Sequence, residues 1–157
     1  RNLYPGDYGG NMDTSLIKEG SILFLPVFQD GAYLGCGDLH AAMGDGEAFY
    51  EGIECAGEVQ LTIKVRKDLD MDIPYVIADG KFASIGTDET IEKALRKSMS
   101  KLLHFLSGQL PSLSVTYICY ILGFYGNLEI SQVVDPLMTG RMSISMDILK
   151  KIGLEII

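Results

Sequence analysis

The stretch YVIADGKFASIGTDETIEKALRKSMSKLLHFL, residues 75–106, changes from a strand pattern to a helix pattern. Two short apolar runs flank Asp79-Gly80, a dipeptide typical of hairpin turns. Thr87 is the predicted N-cap of the following helix, in which apolar residues recur at spacings of three and four from Ile91 onward. The stretch therefore predicts a β-hairpin followed by an amphipathic helix.

A second helix and several further strands are predicted outside this stretch. The helix runs from Ser112 or Ser114 to Gly126, and its nearly uniform apolar character predicts deep burial. The further predicted strands are residues 21–27, 32–43, 58–66, 129–134 and 141–145. The order of strands, then helices, then strands predicts a β-rich α+β fold with largely antiparallel strands and two helices in the C-terminal part. The length of 157 residues fits a single domain, residues 1–157.

The negative charge of the chain is concentrated near its start. The net charge is −8, and the first 54 residues contain nine acidic and two basic residues, whereas the rest contains twelve and eleven. This acidic surface argues against nucleic acid as a partner. No apolar run reaches the ~18–20 residues that a membrane helix needs, so no membrane partner is predicted. Three widely spaced cysteines predict a reducing, cytoplasmic setting without a disulfide framework.

The segment GDLHAAMGDGEAFYEGIE, residues 37–54, combines many carboxylates with one of the two histidines. Alternation along the predicted strand 32–43 places Asp38 and His40 on one face. Such a pair can form part of a metal site or act as an acid–base pair, and a buried Asp–His hydrogen bond without catalysis is the alternative. A catalytic zinc site usually has three protein ligands, so further ligands have to come from elsewhere.

More carboxylates follow in the same segment. Asp45 lies in a glycine-rich turn, and Glu47 and Glu54 come after it. Crowded carboxylates are tolerated when they are solvated, protonated or bridged by a cation. A solvated acidic turn is therefore the alternative to a cation site, and Glu51 is predicted to be a surface residue.

A glycine-rich loop is predicted at the start of the chain, residues 1–13. In this loop Asn11 and Asp13 follow Gly10. The arrangement fits either an amide-recognising loop or a plain turn with an Asx cap.

Several motifs resemble the acetamidase/formamidase family. Members of that family contain a GGNMD segment, a strand ending in LPV, a GD-x-HA-x-x-GDGE block, and a downstream glutamate at the position of Glu54. The matching stretches here are PGDYGGNMD (5–13), GSILFLPV (20–27), GDLHAAMGDGE (37–47) and LEISQVVDP (128–136). The resemblance follows most of the chain in order, but the family's chains are about twice as long. The chain is therefore similar to the C-terminal half of a family member, and we expect an N-terminal half that is absent here.

The resemblance implies hydrolysis of a short linear amide, formamide or acetamide, to a carboxylate and ammonia. It implies a divalent metal, zinc or calcium, with Asp38, His40 and Asp45 as ligands. Glu47 is then the general base that activates water, or a further ligand.

The resemblance also implies roles for the remaining candidate residues and partners. Asp13 is expected to be catalytic, and Asn11, Gly10 and Glu54 are expected to bind the substrate, with Asn11 and Asp13 orienting its amide group. The expected partners are the small amide, the N-terminal half, and further copies in a homodimer or larger homo-oligomer. The alternative functions are a non-catalytic metal- or ligand-binding module related to the family, and a plain scaffold.

Overall fold

A computed structural model describes residues 4–157, so residues 1–3 of the predicted N-terminal loop lie outside the described residues. Within that range the strands are β1 (Ile22–Phe24), β2 (Tyr75–Ala78), β3 (Lys81–Asp88), β4 (Asn127–Gln132) and β5 (Met138–Ser145). The helices are α1 (Ile91–Gln109), α2 (Val115–Tyr125) and α3 (Met146–Lys151). The predicted α+β class is confirmed, and the short helix α3 is an addition to the two predicted helices.

The five strands form one antiparallel sheet in the order β1-β2-β3-β5-β4. The predicted hairpin is confirmed, because β2 pairs directly with β3 across Asp79 and Gly80. Both turn residues have positive φ, 51° and 69°, as a tight two-residue hairpin turn requires. Strand β5 lies between β3 and β4, which places Arg141 opposite Ile85 in the middle of the sheet.

The helix ends follow local capping signals. Thr90 is the N-cap of α1, and its hydroxyl accepts a hydrogen bond from the Lys93 N–H at 3.3 Å. The cap predicted at Thr87 is wrong because Thr87 still belongs to β3. Ser114 caps α2 and Gly126 ends it, as predicted.

The deep burial predicted for α2 is wrong. One side of the helix packs into the core through Ile118 and Leu122. The other side leaves Tyr117, Tyr120 and Phe124 between 49% and 76% exposed, because nothing in residues 4–157 covers it.

Each face of the sheet has its own core. On one face α1 and α2 pack over an aromatic cluster of Tyr75, Phe82 and Phe105, whose ring centroids lie 5.3–5.4 Å apart. On the other face Met12 and Leu16 of the N-terminal loop pack against the strands. The loop that contains Asp13 is therefore fixed on the sheet face opposite the helices.

Two of the predicted strands, residues 32–43 and 58–66, are not formed, and the predicted strand 21–27 shortens to β1. Ala32 and Tyr33 have positive φ directly after the turn, so the chain does not return beside β1. Strand β1 pairs with β2 instead. Residues 58–66 stay exposed because their alternating pattern has no pairing partner among the described residues.

Helices in the described part of the chain are too short or too polar to cross a lipid bilayer. The three cysteines, Cys36, Cys55 and Cys119, are free and exposed. The cytoplasmic location stays a prediction.

Candidate functional site

His40 lies between two carboxylates. Its ring Nε2 is 2.8 Å from Glu54 Oε1 and 3.6 Å from Asp38 Oδ1. Asp38 reaches the ring through a left-handed backbone with φ of 63°, a conformation that Asp tolerates better than most residues. The two side chains meet as predicted, although the backbone that brings them together is not the predicted strand.

The backbone around His40 is held by the segment that contains Glu54. The Cys55 N–H donates to the Leu39 carbonyl at 2.9 Å, next to an isolated bridge between His40 and Glu54. Gly52 leaves room for the ring, since a Cβ there would lie 2.7 Å from His40 Cγ and Nδ1. The position of the imidazole therefore depends on a close backbone approach that only glycine permits.

Asp13 completes a group of three candidate metal ligands. A carboxylate oxygen of Asp13, a carboxylate oxygen of Asp38 and a ring nitrogen of His40 all lie within 4.8 Å of one another. Two carboxylates and one imidazole are a donor set that suits a divalent cation such as zinc. The sequence predicted a catalytic role for Asp13 and a ligand role for Asp45, whereas the structure brings Asp13 into the ligand group.

The group has a surplus of negative charge. The pKa of Asp13 is raised to about 6, first by burial and then by the charges of Glu47, Asp38 and Asp135, while His40 opposes the shift. Burial lowers the pKa of His40, but the hydrogen bond and charge of Glu54 and the charges of Asp38 and Asp13 outweigh it, so the pKa is raised. A bound cation would oppose both shifts, because its charge favours the ionised carboxylate of Asp13 and the neutral imidazole of His40.

Glu47 is a buried carboxylate beside this group. Its residue is 8% exposed, and Oε1 accepts a hydrogen bond from the Gly52 N–H at 3.2 Å. Burial raises the pKa of Glu47, against the opposing effects of the Gly52 bond and His40, and the charges of Asp135 and Asp38 add to the rise. A buried carboxylate with a raised pKa is a stronger proton acceptor than an ordinary glutamate, which suits a general base.

The turn before Glu47 is attached to the end of β4. The Gly46 N–H donates to the Ser131 carbonyl at 2.9 Å, and the Gly46 carbonyl accepts from the Val133 N–H at 3.1 Å. Gly46 has φ of 96°, in the left-handed region that favours glycine. These bonds hold Glu47 next to the loop that contains Asp135.

Asp45, a predicted metal ligand, binds an arginine instead. Its Oδ2 accepts from Arg141 Nη2 at 2.5 Å, and its Oδ1 accepts from the Ser15 hydroxyl at 2.6 Å. Burial acts to raise the pKa of Asp45, but the hydrogen bonds from Arg141 and Ser15 outweigh it, so the pKa is lowered. Both oxygens are engaged outside the group of Asp13, Asp38 and His40, so the geometry does not support the ligand role of Asp45.

Arg141 connects the segments of the site, and sequence reasoning missed it. The side chain is 2% exposed. Its nitrogens donate at 2.5–3.2 Å to four side chains: Asp45, Glu129, Thr14 and Ser131. One guanidinium therefore joins the loop that contains Asp13, the turn before Glu47 and strand β4. The only sequence signal was a lone arginine in a predicted strand.

Sequence reasoning also missed Asp135, although the VVDP motif was a signal. The side-chain oxygen of Gln132 accepts from the Val134 and Asp135 N–H groups at 2.9 and 3.0 Å, which shapes this loop. Asn11 Nδ2 donates to Asp135 Oδ2 at 2.7 Å. Burial raises the pKa of Asp135, the Asn11 bond opposes the rise, and the charge of Asp38 adds to it.

The three residues predicted to bind the substrate, Gly10, Glu54 and Asn11, contact other residues of the chain in this structure. A Cβ at Gly10, where φ is 84°, would lie 2.7 Å from the Tyr4 carbonyl oxygen, so this glycine permits a tight loop. Glu54 bonds His40, and the amide nitrogen of Asn11 bonds Asp135. The substrate-binding roles of these residues stay predictions.

Comparisons of sequence and of structure both find similarity to acetamidases and formamidases. The model of the acetamidase/formamidase family matches residues 1–106. The formamidase of Methylophilus methylotrophus is 39% identical over 69 residues, which are 43% of this chain and 17% of that protein. The matched part therefore spans about a sixth of the length of that relative.

Two solved structures match almost the whole chain. A predicted acetamidase/formamidase from the thermophile Thermoanaerobacter tengcongensis has a TM-score of 0.94 and 41% identity, covering 99% of this chain and 51% of its own. The acetamidase of Bacillus halodurans has a TM-score of 0.93 and 40% identity, covering 98% and 52%. The chain spans about half the length of these solved relatives.

Proposed function

Because this chain belongs to the acetamidase/formamidase family, we propose that the protein it forms part of hydrolyses short linear amides such as formamide or acetamide. The observation that supports this most directly is the group of Asp13, Asp38 and His40, whose ligand atoms lie within 4.8 Å beside the buried Glu47. The matched relatives are named formamidase and acetamidase, which supports the same substrate class.

The proposed site holds a divalent cation through Asp13, Asp38 and His40. The donor set and the surplus of negative charge both fit a cation, and the imidazole nitrogen favours zinc over calcium, which prefers oxygen ligands. The His40 Nε2 atom that lies 3.6 Å from Asp38 also lies 2.8 Å from Glu54. Glu54 is therefore within reach of the proposed cation. When bound, the cation would polarise the amide carbonyl and acidify a bound water.

The residues of the chain supply proton transfer and orientation. Glu47 removes a proton from water as the water oxygen bonds to the carbonyl carbon. The proton then passes to the amide nitrogen, the C–N bond breaks, and ammonia leaves together with the carboxylic acid. The N–H groups of the substrate need acceptors, which the side-chain oxygen of Asn11 and the carboxylate of Asp135 provide.

The test of the reaction is ammonia release from formamide and acetamide by the full-length protein. We expect release that EDTA abolishes and added zinc restores. Release that survives EDTA would retain the amidase and remove the metal from the proposal. Zinc binding without release from either amide would replace the proposal with the non-catalytic binding module.

The role of Glu47 has its own test. Glu47→Gln keeps the shape of the side chain but removes the proton acceptor, so kcat should fall roughly 10³-fold with an unchanged thermal midpoint. Glu51→Gln is the matched control, because Glu51 is exposed in the same segment and should retain full activity. A Glu47→Gln enzyme with the wild-type kcat would remove the general-base role.

The predicted homo-oligomer remains part of the proposal, and light scattering of the same preparation measures it.

A further inference from the structure

Residues 58–66, EVQLTIKVR, present an apolar face that nothing in residues 4–157 covers. Val59, Leu61, Ile63 and Val65 alternate with polar residues and are 46%, 52%, 70% and 80% exposed. Within the described chain, the backbone of 58–66 belongs to no strand and makes no backbone–backbone hydrogen bond. This alternation is typical of a strand that has one buried face and a paired edge, and here both are missing.

The solved relatives indicate that this segment follows a defined path. The Thermoanaerobacter structure superposes on 99% of this chain with a TM-score of 0.94, so the match extends through the segment. A backbone without internal partners loses conformational entropy when it is ordered, and contacts from outside must offset that loss. Within residues 4–157 a single hydrogen bond, from Arg66 Nη1 to the Ile156 carbonyl at 3.3 Å, joins the segment to a distant part of the chain, and it leaves the backbone of the segment unpaired.

The same relative points to a source of those contacts. The match covers 51% of its chain, so about as much chain again lies outside the match. We propose that a β-strand from this other half of the same, longer polypeptide pairs along residues 58–66. Apolar side chains of that half would cover Val59, Leu61, Ile63 and Val65, while the charged side chains of Glu58 and Lys64 stay in water.

This pairing would also support the candidate site. Residues 58–66 begin three residues after Cys55, whose N–H donates to the Leu39 carbonyl, and four residues after Glu54, which bonds His40 at 2.8 Å. A strand fixed along 58–66 therefore limits the motion of the segment that positions the imidazole. The inference rests on the proposal that this chain belongs to a longer family member, and it does not require that the proposed reaction occurs.

Hydrogen–deuterium exchange of the full-length protein tests the pairing without reference to activity. We expect amides in residues 58–66 to exchange at least about 100-fold more slowly than in an unstructured peptide, at every protein concentration. Exchange at the unstructured rate would overturn the proposal. Slow exchange that is lost on dilution to the monomer would also overturn it, because a second copy would then be the occupant.

A pair of substitutions tests which face is covered. Ile63→Asp places a charge on the covered face and should lower the thermal midpoint of the full-length protein by about 5–10 °C and speed exchange across 58–66. Thr62→Asp places the same charge on the wet face and should change neither. Equal effects of the two substitutions would overturn the proposal. If Ile63→Asp does not fold, Ile63→Ala against Thr62→Ala gives the same comparison with a smaller shift.

Discussion

Two regions of the molecule are held in place by different interactions. The sheet-and-helix region, residues 75–151, contains four of the five strands and supplies most of the apolar core under the helices. The irregular segment, residues 28–66, contains no strand or helix and leaves Phe49 and Val65 at least 80% exposed. Yet Asp38, His40 and Glu47 all lie in the irregular segment. The candidate chemistry therefore lies on backbone that polar contacts hold in place, with little apolar burial of its own.

Those polar contacts run to a small part of the sheet. Arg141 binds Asp45, and Gly46 bonds the end of β4 at Ser131. A rigid sheet can position irregular backbone accurately when the connecting groups are buried and charged. Removing one connection should therefore lower the activity even in a variant whose sheet still folds.

Among the groups that connect the irregular segment to the sheet, Arg141 is expected to have the largest effect when it is replaced by Met. The substitution keeps much of the apolar volume but leaves the carboxylates of Asp45 and Glu129 without their arginine, which should cost about 3 kcal/mol in the free energy of unfolding. It should also lower kcat for amide hydrolysis roughly 100-fold, because the turn before Glu47 loses its anchor. Urea unfolding and ammonia release measure the two effects.

The matched control is Arg96→Met in α1. The Arg96 side chain is 74% exposed and, within residues 4–157, pairs only with Glu92 one turn away, so the change should stay within about 0.5 kcal/mol. Arg141→Lys retains the charge but not the planar fork of donors, so an intermediate loss is expected. Wild-type kcat in Arg141→Met would show that the irregular segment is held by something other than this arginine.

A smaller effect is expected from Gly52→Ala. The new Cβ would lie 2.7 Å from the His40 ring and 3.2 Å from the Ala42 carbonyl oxygen, so the imidazole must move. We expect kcat to fall roughly 10-fold, while the free energy of unfolding changes by about 1 kcal/mol or less, because Gly52 lies outside both cores. Gly44→Ala is the control, since a Cβ there meets nothing within 4 Å. Equal activity of the two variants would show that the position of His40 does not depend on Gly52.

The same division explains what could be predicted from the sequence. The hairpin at Asp79-Gly80 and the helix signals at Ser114 and Gly126 are local, so they were predicted well. The alternation of residues 58–66 is also local, but a strand forms only when a partner is present, and the partner is not among the described residues.

The candidate site was predictable only in part, for a related reason. The pairing of Asp38 with His40 was predicted from alternation along a strand, and the two side chains do meet, but through the left-handed backbone at Asp38 instead of a strand. Asp13 joins the group from a distant part of the chain, and Asp135 approaches it from another, so both positions depend on tertiary packing. Arg141 shows the same limit, because its sequence context does not reveal that it binds Asp45.

The smallest effects come from one substitution made in both regions. Gly108 is exposed in α1 with nothing within 4 Å of an added Cβ, so Gly108→Ala should raise the free energy of unfolding by about 0.5 kcal/mol. Gly46 also has open space, but its φ of 96° is unfavourable for alanine, so Gly46→Ala should lower it by about 1 kcal/mol. Urea unfolding of each variant measures the two signs.

Ammonia release separates the two regions further. Gly108→Ala should leave it unchanged, whereas Gly46→Ala should reduce it, because Gly46 connects Glu47 to the end of β4. The double variant should show the sum of the two stability changes, since the sites share no partner. A stabilising Gly46→Ala would mean that this turn relaxes to another backbone conformation. In that case the irregular segment would be less tightly fixed to the sheet than its hydrogen bonds indicate.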